Sequence, residues 1–160
     1  MQHSEEPPAE ELVDAVMTAS RALLAVVVRS LAAVDEDVTL PQYRALVVLG
    51  QRGRMRPAEL AAALAVTPPT CTRMCGRLDA KGLVVRERPA DDRRAVDVSL
   101  SPTGRDLVDE VSKRRRAELR TLLAGVPTAR RTAVIDGLRS LADAAGEVPE
   151  PDWARHTVAL

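Results

Sequence analysis

Between residues 57 and 100 the apolar spacing of this 160-residue chain changes once, from a helical period to alternation, which limits the folds open to it. Pro57 opens a short helical segment, Ala58-Glu59-Leu60-Ala61-Ala62-Ala63-Leu64. A second begins at Thr67, a cap ahead of the first-turn prolines Pro68 and Pro69, and runs to Lys81. Gly82 stands where the residue just past a helix C-terminus is expected. Beyond it Leu83–Arg88 reads as a strand, and Ala95–Leu100 alternates as a second. The polar loop Pro89–Arg94 between them is rich in turn formers. Two short helices joined by a tight turn and followed directly by a hairpin make a winged helix.

The flanks carry more apolar surface than such a module needs. Leu12, Val16, Leu23, Val27, Leu31 and Val34 recur on one helical face, and Val13, Met17, Leu24 and Val28 widen it. A stripe that broad packs on two things at once. Asp35-Glu36-Asp37 ends this helix, Thr39 and Pro41 cap the next, and Gln42–Leu49 continues it to a stop at Gly50–Gly53. After the hairpin, Ser101-Pro102-Thr103-Gly104 starts a long helix through Leu107, Val111, Leu119, Leu122 and Leu123. Pro127 begins a last helix with Val134, Ile135, Leu138 and Leu141, and an extended tail follows from Gly146.

Apolar residues make up 46% of the chain, but aromatics only 1%, with no Phe, so the core is built from Leu, Val and Ala. Ala and Leu favour helix, and the expected fold class is mainly α. The formal net charge of zero hides a segregation. Residues 1–40 balance at −6, residues 41–94 at +6, and residues 95–160 at zero. A basic middle third steers polyanions. No stretch approaches the roughly 20 apolar residues of a membrane span. The N-terminus lacks the basic start and apolar run of a signal peptide, and two cysteines do not indicate a secreted disulfide scaffold. A cytoplasmic protein with no membrane partner is expected.

Several strings together resemble the MarR family of bacterial regulators. Leu40-Pro41-Gln42-Tyr43-Arg44-Ala45-Leu46 is similar to that family's entry to its second helix. Ala58-Glu59-Leu60-Ala61 with Leu64 and Val66 is similar to its third. Thr70 through Leu78, then Lys81-Gly82-Leu83-Val84, resembles its recognition helix running into the wing. Asp92-Arg93-Arg94, followed by Val96, Val98, Leu100, Ser101 and Gly104, resembles its Asp-x-Arg wing and the helix start behind it. The resemblance covers roughly residues 10–145. It implies a mainly α fold: a winged helix-turn-helix with a two-stranded β-hairpin wing and a helical dimerisation region. The chain then divides into a disordered acidic N-terminus (1–9), an N-terminal dimerisation helix (10–36), the DNA-binding lobe (38–101), C-terminal dimerisation helices (102–145) and an extended tail (146–160).

A helix in the major groove reads bases through exposed side chains near its N-terminus. Those are Thr67, Thr70, Thr72, Arg73 and Arg77, the two arginines one turn apart and facing the same way. Arg can grip guanine bidentately or hold a phosphate. The alternative for Arg77 is a brace to Asp79, Asp91 or Asp92. By resemblance Arg94 enters the minor groove, Asp92 holds the loop in shape and Arg93 is left for phosphate. Arg86 and Arg88, on the first strand, extend the backbone contacts.

Cys71 and Cys75 could form a redox switch, but their spacing on one helical face fits a disulfide poorly, and free Cys behaves as a small buried hydrophobe. Core packing is the favoured reading. The run Lys113-Arg114-Arg115-Arg116 points in four directions on a helix and reads as a solvated face or dimer-edge salt bridges. His3 and His156 lie in the tails, which leaves little for a His-based catalytic centre or metal site, and no cofactor is expected.

The expected function is sequence-specific DNA-binding transcription regulation, by a homodimer on a pseudo-palindromic double-stranded operator. By resemblance it represses, and a small-molecule effector in the cleft between dimer helices and lobe releases it. With Tyr43 and Trp153 the sole aromatics, an aromatic-lined effector pocket is not expected. The rivals are a winged-helix protein-interaction module, a cysteine-based redox-responsive regulator and, least supported, an enzyme.

Overall fold

The computed structural model describes residues 9–88, 96–147 and 149. Helices α1 (Ala9–Ala32), α2 (Leu40–Arg52), α3 (Pro57–Ala63) and α4 (Pro68–Ala80) precede strands β1 (Val84–Glu87) and β2 (Asp97–Leu100). Helix α5 (Pro102–Leu123), a 3₁₀ turn (Thr128–Arg130) and α6 (Arg131–Ala144) follow.

One core holds the lobe together. Leu46 and Leu49 of α2, Leu60 of α3, Leu78 of α4, Val98 of β2 and Val108 and Val111 of α5 are all essentially inaccessible to solvent. Each buried side chain of this size contributes about 1.5–3 kcal/mol over leaving it exposed. Only the C-terminal part of α1 joins in, through Val26, Ser30 and Leu31, where α1 packs on α5. No residue of α6 is buried.

The connections explain the boundaries. After α1, Asp35 Oδ1 accepts from the backbone N–H groups of Asp37 (2.8 Å) and Val38 (3.2 Å), shaping the turn into α2. Gln42 Oε1 then accepts from the Thr39 N–H at 3.1 Å, satisfying a donor at the helix start. At the end of α4, Gly82 adopts φ +69°, which lets its N–H reach Asp79 O and the Leu83 N–H reach Leu78 O. That pair of bonds closes a helix through a left-handed residue. Ser101 accepts from the Gly104 N–H at 2.9 Å, the cap of α5. Gly104 itself has no room for a side chain, since a Cβ there would stand 2.0 Å from the Leu83 carbonyl oxygen.

Several details differ from the sequence expectation. Helix α1 ends at Ala32, so Val34 lies in the turn rather than on the helical stripe, and the Asp35–Asp37 run shapes the turn instead of stopping the helix. Gly50 does not stop α2, which packs well enough to continue to Arg52 and ends on Gly53 at φ +76°. Thr67 holds the extended backbone of a cap, yet its hydroxyl donates to Thr70 Oγ1 (2.9 Å) instead of capping the helix. Pro127 leads into the 3₁₀ turn, and α6 starts only at Arg131. Both strands are shorter than expected, so Arg88 lies past the end of β1. Within the sheet, Val84 pairs with Leu100 and Arg86 with Val98. Met55 also pairs with Val98, from the other side, so the loop between α2 and α3 adds a one-residue third strand.

Candidate nucleic-acid interface

Helix α4 is two-faced because its sequence is. Cys71, Met74, Cys75 and Leu78 are buried against the lobe, at the i, i+3, i+4, i+7 spacing of one helical stripe. Thr67, Thr70, Thr72, Arg73 and Arg77 are exposed. Four of these are already tied to neighbours. The Thr67 and Thr70 hydroxyls bond to each other, Thr72 Oγ1 donates back to the Pro68 carbonyl at 3.0 Å, and an Arg73 Nη lies 3.4 Å from Thr70 Oγ1. Arg77 makes no ion pair among the described residues, so the brace to Asp79 is not formed; Asp91 and Asp92 lie outside those residues. Thr70, Arg73 and Arg77 border an open concavity of about 370 Å³ with Thr39, Pro41, Gln42 and Met74.

Arg86, opposite Val98 in the register, lies on the same face of the sheet as buried Val84, the face turned toward α4. Its charge acts on the Cys75 thiol against the effect of burial. Arg86 is itself exposed, with its charge reaching Cys75 of the recognition helix, and Arg88 is exposed just beyond β1. Asp92, Arg93 and Arg94 fall outside the described residues.

Sequence reasoning missed the support of the wing base. An Arg54 Nη donates to Glu87 Oε2 at 2.5 Å, tying the loop before α3 to β1. Arg54-Met55-Arg56 does alternate about an apolar residue, but three residues are too few to read as a strand.

Both cysteines are free and buried, with their Sγ atoms 4.0 Å apart. Burial raises the Cys71 thiol pKa and pushes that of Cys75 up to about 12. Thiolate is the species that oxidises, so burial in the core favours the packing reading over the redox-responsive one. Of the basic run on α5, Lys113 and Arg114 both pair with Glu110, at 3.8 and 3.2 Å. Among the described residues no cluster of metal-ligating side chains occurs, and no helix is long and apolar enough to cross a membrane.

A short helix pair whose second member presents threonines and arginines beside a β-hairpin defines a winged helix-turn-helix protein built to meet nucleic acid. A model of the MarR family matches residues 36–95. The chain is 37% identical over 109 residues to Mb0904, an HTH-type transcriptional regulator of Mycobacterium bovis, covering 68% of this chain and 73% of that protein. It is 31% identical over 102 residues to the multiple antibiotic resistance protein MarR of Salmonella typhimurium, covering 64% and 71%. The crystal structure of RV1404 from Mycobacterium tuberculosis is similar at a TM-score of 0.84 and 35% identity, covering 91% of this chain and 99% of that one. The chain belongs to the MarR family and is a DNA-binding transcription regulator.

Proposed function

We propose that the protein acts as a homodimer that represses transcription from a pseudo-palindromic operator. The exposed, same-facing pair Arg73 and Arg77 on α4 carries this reading. The two α4 helices enter successive major grooves, where Thr67, Thr70, Thr72, Arg73 and Arg77 meet bases and phosphates. The wings reach the flanking minor grooves with Arg94 inserted, Asp92 bracing it, and Arg93, Arg86 and Arg88 on the backbone. The dimer forms through the apolar faces left open at both ends of the chain: Leu12, Val13, Met17, Leu24 and Val28 on α1 and Ile135, Leu138 and Leu141 on α6 are all exposed in the single chain. The lobe and the two dimerisation regions are the working division of the molecule.

A small molecule releases the operator. Support comes from the concavity between the start of α2 and α4, because a ligand seated there competes with DNA for Arg73 and Arg77. The role is regulatory rather than enzymatic, and the site of action is the cytoplasm. The test is binding of the purified protein to random and then selected duplex DNA across a salt titration. Affinity that falls steeply with salt supports the reading, and a flat response overturns it in favour of a protein-interaction module.

A further inference from the structure

The end of the recognition helix is fastened through one side chain to the junction between α1 and α2. Lys81, directly after α4, donates through Nζ to the backbone carbonyl of Asp37 and lies 3.4 Å from Oε1 of Gln42. Both acceptors belong to the junction between α1 and α2, where the dimerisation arm meets the lobe. The junction is itself built to present them. Asp35 Oδ1 holds the N–H groups of Asp37 and Val38, and buried Gln42 also takes the Thr39 N–H on the same Oε1. The end of α1, the start of α2 and the end of α4 are thus joined through one ammonium group.

We infer that Lys81 is a positioning residue for DNA recognition: it pins the C-terminal end of α4 to the α1–α2 junction and so sets the lobe's attitude to the dimerisation arm. The main packing of α4 is on α3 and β1, both inside the lobe, and Lys81 adds a polar fastening to the α1–α2 junction. A lysine suits the role. Its compact ammonium has three donors that can serve a carbonyl and an amide oxygen together. Its charge also suits a helix C-terminus. Thr67, at the other end of α4, is about 20 Å away along the axis, whereas Arg77 is only one turn from Lys81, so the salt slope is the readout that separates a positioning role from a shared phosphate contact. An exposed hydrogen bond of this kind adds little to stability, whereas a dimer reading two half-sites is sensitive to the angle at which each lobe is held.

The inference rests on the homodimer on a pseudo-palindrome proposed above, and its test keeps the two apart. A duplex operator selected from random DNA by the wild-type protein, and one isolated half of it, are the probes. For Lys81→Met the expected result is a loss of about five- to tenfold in affinity for the full operator, with half-site affinity and salt slope unchanged. Lys81→Arg, which keeps donors, restores most of the loss. Asp35→Ala, which loosens the Asp37 loop and removes no positive charge, reproduces the Lys81→Met pattern.

A spin label on Asp79→Cys in each protomer supplies a readout free of DNA. Lys81→Met broadens the distance distribution between the two labels. A salt slope that drops by about one makes Lys81 a phosphate contact and overturns the inference. So does full-operator affinity equal to wild type, or a Lys81→Met protein that unfolds while Asp35→Ala leaves operator affinity intact. Failure of the wild-type protein to prefer the full operator over its half sinks the palindrome reading itself, and this inference with it.

Discussion

The hydroxyl of Ser101 donates to the carbonyl of Gly82 at 2.6 Å, so the residue that starts α5 is tied to the residue that ends α4. The same hydroxyl caps α5 through Gly104, and the Ser101 N–H bonds to the Leu83 carbonyl at 3.1 Å. The end of α4, the lead into β1 and the start of α5 meet on one residue. Ser101→Ala removes the cap and leaves the Gly82 carbonyl short of a donor, a cost of about 1–2 kcal/mol. Urea denaturation of the variant is expected to show a lower midpoint with an unchanged slope. A midpoint equal to wild type counts against this account.

Arginines of the two proposed contact regions separate by how they lose affinity. Arg94→Ala is expected to weaken operator binding and to flatten preference for A·T-rich flanks, as removal of a minor-groove insertion does. Arg73→Ala and Arg77→Ala are each expected to cost about 1–3 kcal/mol if the side chain reads a guanine, with relaxed preference at one base position. A purely phosphate-bound arginine instead weakens all sequences alike and lowers the salt slope by about one. Selection from a randomised operator library with each variant distinguishes these results, and unchanged affinity for Arg94→Ala removes the wing from the interface.

The buried thiols give stability a pH dependence of definite sign. Burial lifts Cys75 from 9.0 to about 12, and Cys71 is raised as well. Their contribution is complete below the unfolded value of 9.0 and is lost as pH climbs toward the folded value, because the unfolded chain ionises first. Stability is therefore expected to fall between pH 9 and pH 12 more steeply in wild type than in Cys75→Ala. Urea midpoints at a mildly alkaline and a strongly alkaline pH check this. The native protein should also resist alkylation near neutrality, and rapid modification there would contradict the burial.

The open apolar faces at the chain ends predict their own disruption. Ile135→Asp and Leu138→Asp place a charge where a partner chain is proposed to pack, and neither side chain is buried in the single protomer. Both variants are expected to sediment as monomers while the lobe stays folded by circular dichroism, with operator affinity lost along with dimerisation. A dimer of wild-type strength from both moves the interface elsewhere.

Most of the lobe was legible because its residues carry local signals strong enough to survive packing. Gly82 past α4, Ser101 ahead of α5, and the alternation Val96, Val98 and Leu100 each fix a boundary by backbone chemistry alone. Gly50 misled because its intrinsic helix cost, about 1 kcal/mol, is smaller than what Val48 and Leu49 gain by burial beside it. The Met55 bridge was invisible for a different reason: a single strand residue has no period, and its partner Val98 lies 43 positions away. That exposed Arg86 shares a face of β1 with buried Val84 is a matter of register, which fixes the side on which every residue of a strand stands. The roles of Lys81 and Gln42 depend on one hydrogen-bonded junction that brings distant segments together.

That bridge at Met55 also bears on how such a wing can change over time. With partners on both sides, β2 is an inner strand, and the side chains of Met55 and Val98 enter the same core. Adding or deleting one residue between Gly53 and Pro57 would turn Met55 outward and put an arginine in its place. A wing transplanted from a relative therefore has to bring the segment before α3 with it, because the two were fitted as one piece.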